Sequence, residues 1–455
     1  MIEVEFYGAA KTVTGSNYLV KTPEATFIVD CGMFQGPEVE GRNLEPYEYD
    51  ASKVDFVLLT HAHIDHSGML PKLYKAGFRG KIYATSNTIQ ITELLLFDSA
   101  KIQESNYQSG NFYGKYTQKV ALAYNSSDAE QTIRLLQPVQ FDEEFEIMPG
   151  IRTKFLHAGH ILGAASIEVT IANEGEERQI MFSGDIGRVE QPLIPGFDKD
   201  YKSTPDYIFI EALYGGLEHP KRSESIEEMV KIINRTISRG GNAYIPAFSV
   251  QRTQEILKFL KDAIEAGDLD KDIPVWLDSP LAQKVSKIYT AALQHNEDSI
   301  FYFDSLRFVN RYSQSRGIQK TTGQIVLAGS GMADGGRIMN HLTTGLDKKN
   351  NSVIFVGYQA AGTIGRELTD GHKEITIGKT KIHVSADIRY LHGFSSHGDT
   401  SDYLQWIKRH KSEKLKKVFL VHAEEDRSKA LDLELDQIGI MESYIPDWKE
   451  KVTLE

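Results

Sequence analysis

The amino-acid sequence predicts an α/β protein. Short apolar runs with the length of buried strands alternate with longer segments whose apolar residues recur at helical spacing, as in Thr88–Glu104. This alternation is typical of parallel sheets covered by helices. Acidic and imidazole side chains directly follow several of the apolar runs, and α/β folds carry their chemistry at such strand ends. With 455 residues the chain exceeds one typical domain, so we expect two or three.

Two α/β units follow one another along the chain. Before about residue 210, we expect strands at Thr26–Asp30, Val54–Thr60, Lys81–Ala84 and Gln179–Ser183, a helix at Thr88–Glu104 and a polar, aromatic loop at Ser105–Tyr116. Between about 215 and 380, we expect helices at Ile226–Ser238 and Gln251–Glu265, and strands at Ala243–Pro246, Pro274–Asp278, Gln324–Ala328 and Ser352–Val356. Ile375–Ile377 and Lys381–Val384 then form a predicted hairpin.

Composition and charge limit the class of protein. The formal net charge of −12 argues weakly against nucleic-acid binding, although one basic groove can lie on an acidic protein. Cys31 is the single cysteine, so no intrachain disulfide can form, as is typical of a cytoplasmic protein. The first residues alternate like a strand and lack the pattern of a signal peptide. No apolar run approaches the roughly 18 residues that span a membrane.

The segment His61–His66 holds three imidazoles and one carboxylate directly after the apolar run Val57–Thr60. Such crowding is unfavourable unless a cation lies among these groups, and imidazole with carboxylate suits zinc. Alternate side chains of a strand point to opposite faces, so a strand cannot direct all four groups inward. We therefore predict a tight loop, with which Gly68 is compatible.

Four further candidates stand at or near the ends of apolar runs: Asp30, His160, Asp185 and His422. Taken singly, each is better explained as a turn-capping carboxylate or a hydrogen-bonded histidine. Together with His61–His66, they supply enough ligands for two metal sites.

A second set of motifs carries a more specific resemblance. These motifs are Glu211–Gly215, Ile245–Glu255, Leu277–Ala282, Gly329–Met332, Gly335–Arg337, Gly357–Arg366, Phe394–Asp399 and Val421–Glu424. With them the chain resembles the metallo-β-lactamase-fold nucleases of the β-CASP family. Within that family it is most similar to the branch that contains the endonuclease subunit of the cleavage and polyadenylation specificity factor and its prokaryotic relatives. The resemblance implies an αββα sandwich (1–212 and 381–455) with an inserted β-CASP α/β domain (213–380).

The resemblance also implies a two-metal site. One Zn²⁺ takes His61, His63 and His160, and the second takes Asp65, His66 and His422. Asp185 bridges the two ions and Asp30 holds a ligand or the bridging hydroxide, with Mn²⁺ as the alternative metal. His397 is the implied general acid, and Glu211 accepts its other N–H. The residues implied in phosphate binding are Ser330, Gly331, Arg337, Arg366 and Ser395.

The function implied is a zinc-dependent ribonuclease that binds single-stranded RNA in a cleft between the domains. Two alternatives are a hydrolase of small esters or thioesters and a non-catalytic RNA-processing scaffold. Endonuclease and 5′-exonuclease action both remain open, and a homodimer is a further expectation. Ala212, Leu213 and Ala423 depart from the family pattern, which commonly has Ser, Thr and Gly there. These departures bear on hydrogen bonds around Glu211 and on the backbone beside His422.

Overall fold

The computed structural model describes residues 1–36, 39–109, 122–173, 175–293 and 300–455. They form two compact units, the first made of Met1–Glu218 with His397–Glu455 and the second of His219–Ser396. The second unit is therefore an insertion in the chain of the first. It extends past the expected boundary at 380, because a strand at Asp387–Tyr390 pairs within its sheet. The expected domain boundaries stay a prediction.

Two seven-stranded sheets build the first unit, with strands numbered here along the chain. In spatial order the first sheet is β22 (Lys451–Leu454), β1 (Ile2–Phe6), β2 (Tyr18–Lys21), β3 (Thr26–Val29), β4 (Phe56–Leu58), β5 (Lys81–Thr85) and β6 (Leu136–Val139). The second is β21 (Ser443–Tyr444), β20 (Lys417–Val421), β11 (Tyr207–Glu211), β10 (Glu176–Phe182), β9 (Ala165–Asn173), β8 (Ile151–His157) and β7 (Glu144–Met148).

The alternation of side chains along the strands places both sheets around one apolar core. In β3, Phe27 and Val29 join a buried cluster that also contains Phe155 of β8 and Phe209 of β11. Ile28, between them, points to the opposite face of the sheet and joins a second cluster. Because successive residues of a strand face opposite sides, one short strand supplies two cores.

Helices cover the outer faces of these sheets. The helices of the first unit are α1 (Ile64–Ser67), α2 (Leu70–Lys75), α3 (Ser86–Ser109), α4 (Ser126–Ile133), α11 (Thr400–Ile407) and α12 (Glu425–Gln437). Side chains of α2, α3 and α4 pack in the same cluster as Ile28, and α12 contacts β20. The order helix, sheet, sheet, helix is the expected αββα sandwich.

The expected loop at Ser105–Tyr116 is wrong at its start, because α3 continues to Ser109. Ser105, Tyr107 and Gln108 are exposed, so this turn of the helix faces solvent and tolerates polar residues without an apolar period. The rest of that predicted loop, 110–116, lies outside the described residues.

The second unit contains one six-stranded parallel sheet, as the alternation of its elements predicts. Its order is β14 (Leu306–Phe308), β13 (Val275–Asp278), β15 (Ile325–Ala328), β12 (Ala243–Pro246), β16 (Ser352–Phe355) and β19 (Asp387–Tyr390). The predicted hairpin is confirmed as β17 (Glu374–Ile377) and β18 (Thr380–His383). The helices are α5 (Arg222–Ser238), α6 (Arg252–Glu265), α7 (Pro280–Ala292), α8 (Tyr312–Ile318), α9 (Ile338–Gly345) and α10 (Ile364–Thr369).

Parallel pairing within the first unit brings several strand ends together. β3 is parallel to β4, and β11 lies between β10 and β20 with all three strands parallel. In this register Glu211 pairs with Val421, so the carboxyl ends of β11 and β20 are level. Chain segments that leave these ends therefore start from neighbouring points. Among the described residues, no helix combines the length and apolar character needed to cross a bilayer.

Candidate metal centre

The loop after β4 turns its ligand candidates toward one point by means of a single helical turn. His61 and His63 precede α1, while Asp65 and His66 lie inside it. The turn is held closely against the segment after β3, since a Cβ atom on Gly32 would lie 1.6 Å from the carbonyl oxygen of Asp65. The predicted tight loop thus contains a short helix, which lets the four groups point to one side, as a strand could not.

Three imidazoles form the first group of the cluster. Nδ1 of His63 lies 3.2 Å from Nε2 of His61 and 3.1 Å from Nε2 of His160. Oδ2 of Asp185 lies 3.4 Å from both of those Nε2 atoms. Zinc–nitrogen bonds of about 2.0–2.1 Å separate tetrahedral ligand atoms by about 3.4 Å, so these spacings match a shared cation.

A second group meets the other oxygen of the same carboxylate. Oδ1 of Asp185 lies 3.2 Å from Nε2 of His66, and Oδ2 of Asp65 lies 3.5 Å from Nε2 of His422. Asp65, His66 and His422 bring one ligand atom each to within 4.8 Å of one another. Asp185 therefore faces one group with each oxygen, as a bridging carboxylate would.

Orphaned polar atoms test whether a metal fits. Nε2 of His66, Nε2 of His422 and Oδ1 of Asp185 are buried without a hydrogen-bonding partner among the described residues. Burying such atoms unpaired costs several kcal/mol in total, at about 1–3 kcal/mol each. A divalent cation between them would satisfy all three, and imidazole with carboxylate is a donor set that suits zinc. The residues present thus fit a metal pair.

Asp30 orients one of the ligands. Its Oδ2 atom accepts from Nδ1 of His66 at 2.6 Å, and its Oδ1 atom accepts from the backbone N–H of Thr60 at 2.8 Å. With Nδ1 protonated, Nε2 of His66 is the nitrogen with a lone pair for a metal. Thr60, whose hydroxyl also donates to Asp30, is a contributor that sequence reasoning missed.

A third group lies beside the cluster. Glu211 ends β11 fully buried, and its Oε2 atom accepts from Nδ1 of His397 and from the hydroxyl of Tyr403, both at 3.0 Å. Oε1 of Glu211 accepts from the backbone N–H of Ile186. The carboxylate therefore accepts from three donors without the hydroxyls that Ala212 and Leu213 lack. Tyr403 was missed in the sequence because it lies in an ordinary amphipathic helix.

Burial and charge set the protonation of these groups. Burial lowers the pKa of His63 to about 3, so its imidazole is neutral, as metal binding requires. Burial disfavours the charged form of His397, but Glu211 and Asp185 outweigh it and raise the pKa of that imidazole. Burial raises the pKa of Tyr403 well above its usual value, an effect that Glu211 reinforces, so its hydroxyl stays a donor.

The backbone beside His422 adopts a left-handed conformation, with φ of +53°. Its N–H donates to the carbonyl of Ala9 at 2.7 Å, which fixes the residue directly after β20. Ala423, which replaces the glycine common in the resembling family, is fully buried. The substitution leaves the imidazole of His422 within the cluster.

The residues expected to bind phosphate all lie in the second unit. Arg337 donates to Oδ1 of Asp278 at 2.7 Å and to two carbonyl oxygens, so much of its guanidinium serves the unit's own structure. Arg366 forms an exposed ion pair with Asp370, and the hydroxyl of Ser330 donates to a neighbouring carboxylate. Gly331 and Ser395 lie in the same unit, the glycine packed against the ring of Phe248. Their contact with phosphate stays a prediction.

Three family models match the chain. Residues 11–217 match the metallo-beta-lactamase superfamily, residues 253–368 match the Beta-Casp domain, and residues 381–446 match the Zn-dependent metallo-hydrolase RNA specificity domain.

Relatives extend over nearly the whole length. Ribonuclease TTHA0252 of Thermus thermophilus is 34% identical over 93% of this chain and 94% of its own. An RNase J-like protein of Methanocaldococcus jannaschii is 30% identical over 98% of both chains. Transcription termination factor FttA of Methanosarcina mazei is 30% identical over 93% of this chain and 67% of its own. A crystal structure of a protein of unknown function from Enterococcus faecalis V583 shares the fold, with 12% identity and a TM-score of 0.55 over 100% of both chains.

The αββα sandwich and the ligand cluster at its strand ends define a metallohydrolase. The chain belongs to the β-CASP family of metallo-β-lactamase-fold ribonucleases.

Proposed function

We propose that this enzyme hydrolyses the phosphodiester bonds of single-stranded RNA with two zinc ions and a histidine general acid. The observation that carries the proposal is the division of Asp185, whose Oδ2 faces His61 and His160 while its Oδ1 faces His66. A carboxylate so divided suits two cations held a few ångströms apart. Paired cations are the device that hydrolases use on anionic phosphodiesters.

The metal ligands follow from the two groups of side chains. The first ion would be held by His61, His63 and His160, and the second by Asp65, His66 and His422, with Asp185 shared between them. When bound, such ions lower the pKa of a water nucleophile and neutralise charge on the phosphoryl oxygens. Asp30 contributes by fixing the tautomer of His66.

His397 would supply the proton for the departing oxygen. Its Nδ1 faces Glu211, so Nε2 is the atom from which transfer to a leaving group would occur. Glu211 stabilises the protonated ring, and Tyr403 holds Glu211 in place. The proton donor is thus positioned by a chain of two buried side chains.

The remaining features of the proposal concern partners. The RNA specificity model that matches residues 381–446 and the ribonucleases among the relatives support RNA as substrate. Phosphate contacts by Ser330, Gly331, Arg337, Arg366 and Ser395, a homodimer and a cytoplasmic location are further parts of the proposal.

The test uses end-labelled single-stranded RNA and the full-length protein. We expect cleavage that a chelator abolishes and that zinc restores, with about two metal ions per chain. His397→Ala should retain both ions and lose activity by about 10²–10⁴-fold, the typical contribution of general acid–base catalysis. His372→Ala, an exposed histidine of the second unit, is the matched control and should cut at the wild-type rate.

Two results would contradict the proposal. Cleavage by His397→Ala at the wild-type rate would show that His397 is not the general acid. Faster hydrolysis of thioesters or lactones than of RNA would instead favour a small-molecule hydrolase. Mapping the product ends distinguishes endonuclease from 5′-exonuclease action.

A further inference from the structure

A strongly basic segment, Lys408–Lys417, connects α11 to β20. It carries six cations and one carboxylate, Glu413, in a chain whose net charge is −12. We call these ten residues the basic segment; its cations are Lys408, Arg409, Lys411, Lys414, Lys416 and Lys417. Such a concentration of one sign attracts polyanions even when the whole protein is acidic.

The cations of the basic segment are not neutralised by acidic side chains. Among the described residues, none of the six has a side-chain carboxylate oxygen within the 4.0 Å of an ion pair. Elsewhere in the protein, Lys53 pairs with Asp50 and Lys258 pairs with Asp262, so these lysines offer a comparison in which the charge is already neutralised. Lys416 donates to an oxygen of Glu455. Cations without a side-chain carboxylate beside them keep most of their electrostatic potential available for a polyanion.

Backbone contacts hold the basic segment in a defined position. Arg409 donates to the carbonyl of Asp198, and Lys411 donates to that of Ile438. The ammonium of Lys417 lies 5.6 Å from the ring centre of Tyr444, which is 37% exposed. Cations beside an exposed aromatic ring are the combination that single-stranded nucleic acids recognise, with charge on the backbone and stacking on the base.

The basic segment is remote from the metal centre. It joins β20 at Lys417, which pairs with Tyr207, while the opposite end of the same strands carries Glu211 and precedes His422. A five-residue strand is about 17 Å long. Lys417 therefore lies too far from the ligand cluster to contact a group bound at the metals.

We propose that the basic segment is a second RNA-binding site, which contacts phosphates of the strand away from the scissile bond, at about 17 Å for Lys417. The inference rests on the proposed function for the identity of the nucleic acid. It predicts that RNA long enough to contact both sites binds more tightly than a short oligonucleotide. It also predicts that this gain depends strongly on salt, because phosphate contacts release counterions.

The test measures the affinity of a fluorescent 30-nucleotide RNA across a salt series, in a His397→Ala background that prevents cleavage. The variant is Lys408→Gln with Lys414→Gln and Lys417→Gln. Loss of three phosphate contacts should weaken binding by roughly tenfold or more and reduce the slope of log K against log salt by about 2. The matched control is Lys53→Gln with Lys231→Gln and Lys258→Gln, which removes the same charge from ion-paired lysines.

Equal losses in the two triple variants would overturn the inference, because the effect would then be one of net charge. Unchanged affinity and slope in the basic-segment variant, with an unchanged melting temperature, would overturn it as well. Failure of the proposed function appears separately, as absence of RNA cleavage by the wild-type enzyme. The binding comparison still decides the role of the basic segment in that case.

Discussion

Glu211 accepts hydrogen bonds from the hydroxyl of Tyr403 and from Nδ1 of His397. Glu211 and His397 belong to motifs that lie far apart in the sequence. Three side chains thus form one hydrogen-bonded row from α11 to the candidate proton donor. Because Glu211 is fully buried, each hydrogen bond that it accepts is electrostatically stronger than it would be in water. Tyr403 acts on the reaction only through Glu211, so it is a positioning residue.

Tyr403→Phe should lower kcat about tenfold while KM and metal content stay unchanged. The lost hydrogen bond to a charged acceptor is worth about 1.5–3 kcal/mol, part of which appears in the barrier. Steady-state kinetics with metal analysis provides the measurement. Tyr289→Phe is the control, since that buried hydroxyl donates to Gln251 in the second unit. A Tyr403→Phe enzyme with wild-type kcat would contradict the assigned role.

We expect His410 to make the stability of the protein depend on pH. Burial lowers its pKa to about 4, and Arg409 contributes to the same effect. Between about pH 6.5 and pH 4, the unfolded chain binds a proton at this histidine that the folded chain does not. The contribution of neutral His410 to the free energy of unfolding is therefore fully present above about pH 6.5 and is lost as the pH falls to about 4. The difference amounts to about 3 kcal/mol.

His410→Gln should therefore lose less stability than the wild type when the pH falls from 7 to 4. Urea unfolding at pH 7, 5.5 and 4 measures the difference, which should approach about 3 kcal/mol. His383→Gln, at an exposed position of β18, serves as control. Parallel pH profiles of wild type and His410→Gln would show that this histidine is not responsible.

At the scale of the elements, the carboxyl ends of parallel strands in the first unit lie level with one another and so bring the candidate ligands together. Asp30, His61 and Asp185 each follow a parallel strand within a few residues. Gly187 completes this arrangement, since it pairs with His397 in an isolated antiparallel bridge. A Cβ atom on Gly187 would lie 1.7 Å from the carbonyl oxygen of Gly159, so only glycine fits between the two segments.

Gly187→Ala should destabilise the protein by about 2–4 kcal/mol and reduce activity, since the backbone beside His160 must move. Thermal unfolding and RNA cleavage measure both effects. Gly317→Ala in α8 is the matched control, because a Cβ atom there meets nothing within 4 Å. That variant should be neutral or up to about 1 kcal/mol more stable. Equal behaviour of the two variants would refute the packing argument.

At the scale of the whole molecule, the cluster joins residues from His61 to His422 across both sheets of the first unit. Seven ligand side chains converge there, and several keep buried polar atoms that have no hydrogen-bonding partner in the described part of the chain. A cation that satisfies them binds the folded chain and not the unfolded one. Metal binding should therefore stabilise the fold as well as serve catalysis.

Removal of metal should lower the melting temperature markedly. An ion present at about 1,000 times its dissociation constant stabilises the folded state by about 4 kcal/mol per site. Calorimetry with and without chelator measures the shift. Asp185→Asn, which weakens both groups of ligands, should show a much smaller shift. An unchanged melting temperature after verified loss of metal would contradict a structural contribution of the ions.

The sequence by itself determined the α/β class, the parallel sheet of the second unit and the candidate ligands. These features depend on local patterns, since apolar runs and helical periods report burial along one segment. His61–His66 could be recognised because four metal-binding groups in six residues have no favourable arrangement without a cation. The end of α3 was missed because its last turns face solvent and carry no apolar period.

Only the tertiary structure decided through which atoms these groups meet. It directed Nδ1 of His66 to Asp30, divided the two oxygens of Asp185 between two sets of imidazoles, and brought Tyr403 to Glu211. It also paired Arg337 with Asp278, a partner that the motif does not name, while the contact of Arg337 with phosphate stays a prediction. Hydrogen bonds and ligand geometry depend on distances of a few tenths of an ångström between residues far apart in the chain. Strand register and packing set those distances, and no local pattern encodes them.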